Sequence, residues 1–198
     1  MKLAQKRRKE LDEIVQNFCR ETGFNAKADL FKELNKIGFI IYSAQFKRQL
    51  AGMILVNENV EKLDEFGSNK VILYNKRYNY YEVRFILMHE LAHYISRKFI
   101  EQDTKLLFAV RDHNEEYHDD VEEQEMDYMA ASMLVPTDEI ISDINEYKID
   151  LKLSVKDGFA DALKQDEYFI QRLQRKYKIE RVLAMRRIDE VLESMEIN

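Results

Sequence analysis

Apolar residues recur at three- and four-residue intervals over residues 5–21, with Leu11, Ile14, Val15 and Phe18 on one side, and again over about 26–36. Both spacings predict amphipathic helices, the second starting near Asn25 and ending before Gly38. The period then shortens. Phe39–Ser43, Gly52–Val56 and Lys70–Tyr74 are short runs rich in β-branched and aromatic residues, which fit three strands. After Asn75 the apolar positions Val83, Ile86, Leu87, Leu91, Tyr94 and Ile95 return to helical spacing up to about Phe99. Residues 101–120 are polar and acid-rich and read as a loop or short irregular insertion. A further helix runs over about 121–135 and stops at Pro136, and Thr137, followed by Asp138 and Glu139, suits the N-cap of another. The polar stretch from Asp150 to Asp157 reads as a connection, and 158–196 returns to helical patterning with charged faces.

Composition narrows this picture. A chain of 198 residues, 45% hydrophobic, can build one sizeable core and is too short to make two independent domains the expectation. With one proline and five glycines, structural punctuation is scarce and helices should dominate. The net charge of −6 is modest and spread over 34% charged residues of both signs, so bulk charge does not predict a nucleic-acid binder and says little about partners. Cys19 is the single cysteine; it lies in the first amphipathic run, where a buried, unreactive thiol is expected. Near the start, Lys2, Lys6, Arg7, Arg8 and Lys9 are followed by Glu10, Asp12 and Glu13 with no apolar stretch of signal-peptide type, and no run suits a membrane span. The expectation is a soluble cytoplasmic protein without a membrane partner.

Residues 89–93 read His-Glu-Leu-Ala-His inside the helical segment. Residues four apart on a helix share a face, so the imidazoles of His89 and His93 can converge on one tetrahedral cation. Glu90 can reach the open coordination position and act as the general base of a zinc peptidase, taking a proton from water and passing it to the leaving amine. Zinc supplies the acidity that makes this chemistry available near neutral pH. Two histidines four apart also occur as ordinary hydrogen-bonded helix residues. A catalytic site makes a further demand, a third protein ligand.

The helix over 121–135 offers Glu122, Glu123 and Glu125. Glu123 shares a face with Met126, Asp127, Ala130 and Leu134, a mostly apolar stripe whose small Ala130 permits close approach to the motif helix. Glu125 shares its face with Tyr128, Met129 and Ser132, which is less clearly core-facing. Glu123 is therefore the favoured third ligand, and solvation the expected state of Glu122 and Glu125. Asp127, one turn on, is placed to accept the second ring N–H of a ligating histidine and fix its tautomer.

Together these motifs resemble the ImmA/IrrE family of metallo-endopeptidases. The resemblance rests on the strand Val71-Ile72-Leu73-Tyr74-Asn75, on Val83-Arg84-Phe85-Ile86-Leu87-Met88 leading into HELAH, and on Glu123, Glu125, Asp127, Ala130, Ala131, Met133, Leu134, Val135 and Pro136. It covers residues 28–136 well and 177–188 more weakly. Ala92 stands where the family usually has glycine, and Met126 and Met129 replace the usual alanine and phenylalanine, departures that bear on helix packing. The resemblance implies His89, His93 and Glu123 as ligands of Zn2+ and Glu90 as general base. It implies an α+β, zincin-like fold: N-terminal helices, a small three-stranded sheet, the HExxH helix packed on the glutamate-bearing helix, and a helical C-terminal part. On this reading residues 1–150 form the peptidase core and 151–198 a helical extension packed on the same unit. The implied substrate is a protein, a helix-turn-helix transcriptional repressor of a phage, mobile element or stress regulon. The acidic segment 112–125 would attract such a basic partner.

His113 and His118 fall between the two motifs, and His118 is a candidate for stabilising the oxyanion that develops on the scissile carbonyl. Tyr94, beside a ligand, is expected to pack in the core. Arg172, Arg175, Lys176, Lys178, Arg181, Arg186 and Arg187 make the C-terminal region locally basic, with Tyr168, Phe169 and Tyr177 interspersed. That feature supports an alternative, a non-catalytic repressor- or DNA-binding module with a structural or vestigial zinc site. The acids Glu180, Asp189 and Glu190 interrupt the run and favour a solvated amphipathic helix instead.

Overall fold

The computed structural model describes residues 3–46, 50–61, 63, 66–99, 106–112, 120–151 and 159–195. They divide into two compact units, Met1–Met133 and Leu134–Asn198.

In the first unit, α1 (Gln5–Thr22) buries Leu11, Val15 and Phe18 and ends at Gly23, whose φ of 68° is the left-handed conformation that closes a helix without a β-carbon penalty. Cys19 is half-buried, and desolvation pushes its thiol up to about 11, so it is protonated at neutral pH. The second helix, α2 (Leu30–Lys36), starts later than the apolar spacing suggests. Asn25 Oδ1 accepts the Lys27 amide at 3.0 Å, a local turn, and Asp29 Oδ1 takes the amides of Phe31 at 3.1 Å and Lys32 at 3.4 Å. Short polar side chains that bond nearby backbone compete with the helix, so the turn holds until Asp29 caps it.

The sheet contains β1 (Ile40–Ala44), β2 (Leu50–Asn57), β3 (Lys70–Asn75) and β4 (Leu106–Asp112), in the order β1-β3-β2-β4. β1 runs parallel to β3, and β2 runs antiparallel to both β3 and β4. The three expected strands are present. The fourth corrects the reading of 101–120 as loop or irregular insertion: Leu106-Leu107-Phe108-Ala109-Val110 is a five-residue apolar run hidden between polar flanks. Its partner, β2, lies some fifty residues upstream, out of reach of a local pattern.

Helix α3 (Tyr80–Phe99) covers one face of this sheet. It opens with a reciprocal cap, Asn79 Oδ1 accepting the amides of Tyr81 at 2.8 Å and Glu82 at 3.1 Å while Glu82 Oε2 accepts the Asn79 amide at 2.8 Å. Leu87, Met88, Leu91, Ala92 and Ile95 are fully buried. Each of the larger of these contributes roughly 1.5–3 kcal/mol of transfer free energy, far more than the cap, so burial fixes which face meets the sheet. Lys70 Nζ donates to Tyr94 Oη at 2.9 Å, and the Tyr94 ring meets Phe39 edge-on at 5.2 Å, which gives Tyr94 its packing role. The buried Arg84 Nη2 donates to the Ala26 carbonyl at 2.8 Å, pinning the turn before α2 to the start of α3.

Helix α4 (Val121–Leu134) begins after Asp120, whose Oδ1 accepts the Glu122 amide at 2.9 Å. Ala92, Met126 and Met129 are all fully buried, so the packing accommodates these departures from the family pattern. α1 braces α4 at two levels. Arg7 donates from Nε and Nη2 to the two oxygens of Glu125, both at 2.6 Å, and Asp12 accepts from Tyr128 Oη at 3.1 Å and from Ser132 Oγ.

The second unit contains α5 (Thr137–Leu151), α6 (Phe159–Gln165), α7 (Glu167–Tyr177) and α8 (Arg181–Met195), so the helical patterning over 158–196 resolves into three helices. Asp166 separates the first two by capping α7, its Oδ1 accepting the Phe169 amide at 3.0 Å. At α5 the amides of Glu139 and Ile140 bond the Pro136 carbonyl, so Thr137 is the first helical residue and not the cap. Its hydroxyl instead accepts from the fully buried Arg187, Nη2 at 2.9 Å, and the same guanidinium donates to the Val135 carbonyl and to Glu190. Five of the seven basic side chains of the C-terminal region make ion pairs inside this unit: Arg172 with Glu146, Lys176 with Asp143, Arg181 with Glu167, and Arg186 and Arg187 sharing Glu190. Among the described residues no helix is long and apolar enough to cross a membrane.

The brace between α1 and α4 makes a direct prediction. Asp12→Ala should lower unfolding free energy by about 1–3 kcal/mol in a denaturant titration, because two hydroxyl donors lose a charged acceptor. An unchanged midpoint would show that the contact carries no stability.

Candidate metal centre

His89 and His93 stand one turn apart on α3, with side chains almost fully buried and ring centroids 5.0 Å apart at an interplanar angle of 73°. Opposite them α4 presents Glu123. Its Oε2 lies 3.1 Å from His89 Nε2 and its Oε1 lies 3.4 Å from His93 Nε2. Asp127, one turn further along α4, places Oδ1 2.8 Å from His89 Nδ1. A carboxylate can only accept, so Nδ1 carries a hydrogen, and in the neutral ring Nε2 is the nitrogen left with a lone pair to offer a cation. Without a cation, burial acts to raise the Glu123 carboxyl, but hydrogen bonding and charge from His89 and His93 in their protonated form outweigh it and hold the group well below the usual carboxylate range.

The donor set fits a divalent cation. One ligand atom from each of His89, His93 and Glu123 lies within 4.8 Å of the other two. Ligand distances of about 2.0–2.2 Å in a tetrahedral zinc site put neighbouring donors about 3.3 Å apart, close to the 3.1 Å and 3.4 Å found here. His93 Nε2 is buried without a hydrogen-bond partner and faces a carboxylate oxygen, an arrangement that a shared cation would satisfy. Imidazole with carboxylate is also the donor chemistry of zinc rather than of magnesium or calcium.

Glu90 follows His89 in the chain, is turned about 100° around the helix from it, and is fully buried. Its side chain lies against Gly52 of β2. The other candidates separate cleanly. Glu122 is exposed. Glu125 is not solvated as its sequence position suggests; it holds the Arg7 fork, with its side chain only 14% exposed. Arg7 lies 118 residues away, which no local pattern reveals. His113 and His118 lie outside the described residues, as do residues 113–119 of the acidic segment 112–125. Gly52 had a signal in the sequence that went unread, since an isolated glycine within a strand pattern marks close approach of a neighbour.

A family model described as the IrrE N-terminal-like domain, Peptidase M78, matches residues 44–189. The chain belongs to this family. As a Peptidase M78 member it carries a metallopeptidase-like domain, with a His-His-Glu cluster of two buried histidines and a partly exposed glutamate that could hold a metal ion. A comparison with curated proteins gives no significant match.

The two glutamates of α4 should separate on substitution. Glu123→Gln should lose most of the bound metal in an elemental measurement on dialysed protein. Glu125→Gln should keep the metal and lose about 1–2 kcal/mol of stability with its half of a charged pair. Metal loss in the Glu125 variant alone would move the ligand assignment.

Proposed function

We propose that this protein is a zinc-dependent endopeptidase that cleaves a protein substrate, a helix-turn-helix transcriptional repressor. The observation that carries the peptidase reading is the convergence of His89, His93 and Glu123 in one buried pocket, with Glu90 adjacent to the first ligand. His89, His93 and Glu123 would hold the ion, which when bound supplies Lewis acidity to the scissile carbonyl and to the attacking water. Glu90 then acts as general base, taking the proton from water and delivering it to the leaving amine. Asp127 fixes the His89 ring and tautomer through the 2.8 Å bond to Nδ1 and raises the basicity of Nε2. The pocket's burial strengthens these interactions by keeping competing water away.

The substrate class rests on the resemblance to ImmA/IrrE enzymes, which implies repressors of phages, mobile elements or stress regulons and a cytoplasmic setting. The acidic segment 112–125 is compatible with attraction of a basic DNA-binding partner. The competing reading, a repressor- or DNA-binding module with a vestigial metal site, draws on the basic C-terminal residues. Most of these are spent on internal ion pairs, which favours the enzyme.

Incubation with the repressor encoded beside its gene tests the proposal. Cleavage should be abolished by chelator and restored by zinc, and Glu90→Ala should keep its metal while losing about 10²–10⁴-fold in rate. A stable complex with intact repressor, or full activity in the Glu90 variant, would contradict it. Asp127→Asn should weaken zinc affinity about 10–100-fold while leaving the fold intact.

A further inference from the structure

Gly52 lies in the interior of β2, paired with Tyr74 of β3 on one side and Arg111 of β4 on the other, with an irregularity in the β2–β4 ladder between Leu50 and Gly52. Glycine weakens a strand interior, so its presence calls for a reason. Backbone conformation is not the reason, because the positive-φ glycines are Gly23, Gly38 and Gly67 and do not include Gly52. The reason is steric. A β-carbon at position 52 would lie 2.6 Å from Ile86 Cγ2, 2.8 Å from Glu90 Oε1 and 3.3 Å from Glu90 Cγ. Ile86 and Glu90 are four residues apart on the face of α3 that meets the sheet, and both are buried.

We propose that Gly52 is a positioning residue for Glu90: its missing side chain forms the floor on which the carboxylate rests, and any larger residue there would displace it. The inference rests on the general-base reading of Glu90. The two contacts respond differently to a β-carbon. Ile86 is branched at Cβ and holds few rotamers, so it yields poorly. Glu90 Oε1 is the far end of a flexible chain, so the carboxylate moves first. His89 and His93 are directed toward Glu123 on α4, and the atoms nearest a β-carbon at position 52 belong to Ile86 and Glu90, so the ligand cluster is not the first to yield. A substitution at Gly52 should therefore uncouple metal retention from turnover. A buried general base is useful only within hydrogen-bond reach of its proton, and displacement of the order of 1 Å is enough to slow proton transfer.

The test combines a stability cycle on metal-free protein with kinetics on the zinc-loaded enzyme. Gly52→Ala should lower the melting temperature of chelator-treated protein by several degrees, and this drop should shrink to less than half in a Glu90→Ala background, where the oxygen that clashes is gone. In the zinc-loaded enzyme Gly52→Ala should keep stoichiometric zinc and lose at least about tenfold in kcat with KM changed by less than about twofold. In an Ile86→Ala background, where the other clash is gone, Gly52→Ala should lower the melting temperature less than it does in wild type, measured against Ile86→Ala alone, and should still lower kcat. An equal drop with and without the Glu90 side chain, or a kcat restored by Ile86→Ala, would overturn the proposal and leave Gly52 as an ordinary packing position. If wild-type protein shows no proteolysis at all, the peptidase reading fails, and the metal-free cycle still decides whether Gly52 places Glu90.

Discussion

Two imidazole nitrogens and a carboxylate held face to face in a buried pocket are a costly arrangement unless something positive lies between them. For the neutral ring the Asp127 hydrogen bond to His89 Nδ1 sharpens that cost, because it leaves Nε2 with a lone pair directed at an oxygen 3.1 Å away. Lone pairs so placed repel, and burial denies them solvent. A shared cation resolves the conflict for all three groups at once. The rest of the first unit can be understood as the means of keeping α3 and α4 close enough for that cation to be needed.

The two helices are held in different ways. α3 is fixed by apolar burial against the sheet, with Leu87, Leu91 and Ile95 fully enclosed, and by the Asn79–Glu82 cap that sets where its first turn begins. α4 also encloses Met126, Met129, Ala130 and Ala131, and adds polar contacts to α1: the Arg7 fork on Glu125 and the Asp12 acceptor beneath Tyr128 and Ser132. Polar contacts of this kind are directional, so they set the rotation of α4 about its own axis. That rotation decides which acid faces the histidines. With Glu125 committed to Arg7, Glu123 is left on the opposing side, toward His89 and His93.

What was legible in the sequence was what is local or periodic. The five residues of HELAH put both imidazoles on one helical face, and the apolar stripe of α4 singled out Glu123 from its neighbours. The α+β class and three of the strands followed from changes of period. β4 did not, since its apolar run is short, flanked by polar residues, and pairs with a strand far upstream. The partner of Glu125 and the contact between Gly52 and Glu90 were hidden for the same reason: each depends on residues brought together by the fold rather than by spacing. The start of α2 was missed because Asn25 and Asp29 offer the backbone local bonds that apolar periodicity does not register.

The central claim is that α3 and α4 form one zinc centre with His89, His93 and Glu123 as its protein ligands. Zinc-edge anomalous diffraction from crystals of the zinc-loaded protein tests it most directly. The account predicts one strong peak enclosed by His89 Nε2, His93 Nε2 and a Glu123 oxygen, each at about 2.0–2.2 Å. A peak placed elsewhere, or one ligated by Asp127 or Glu125 in place of Glu123, would contradict it.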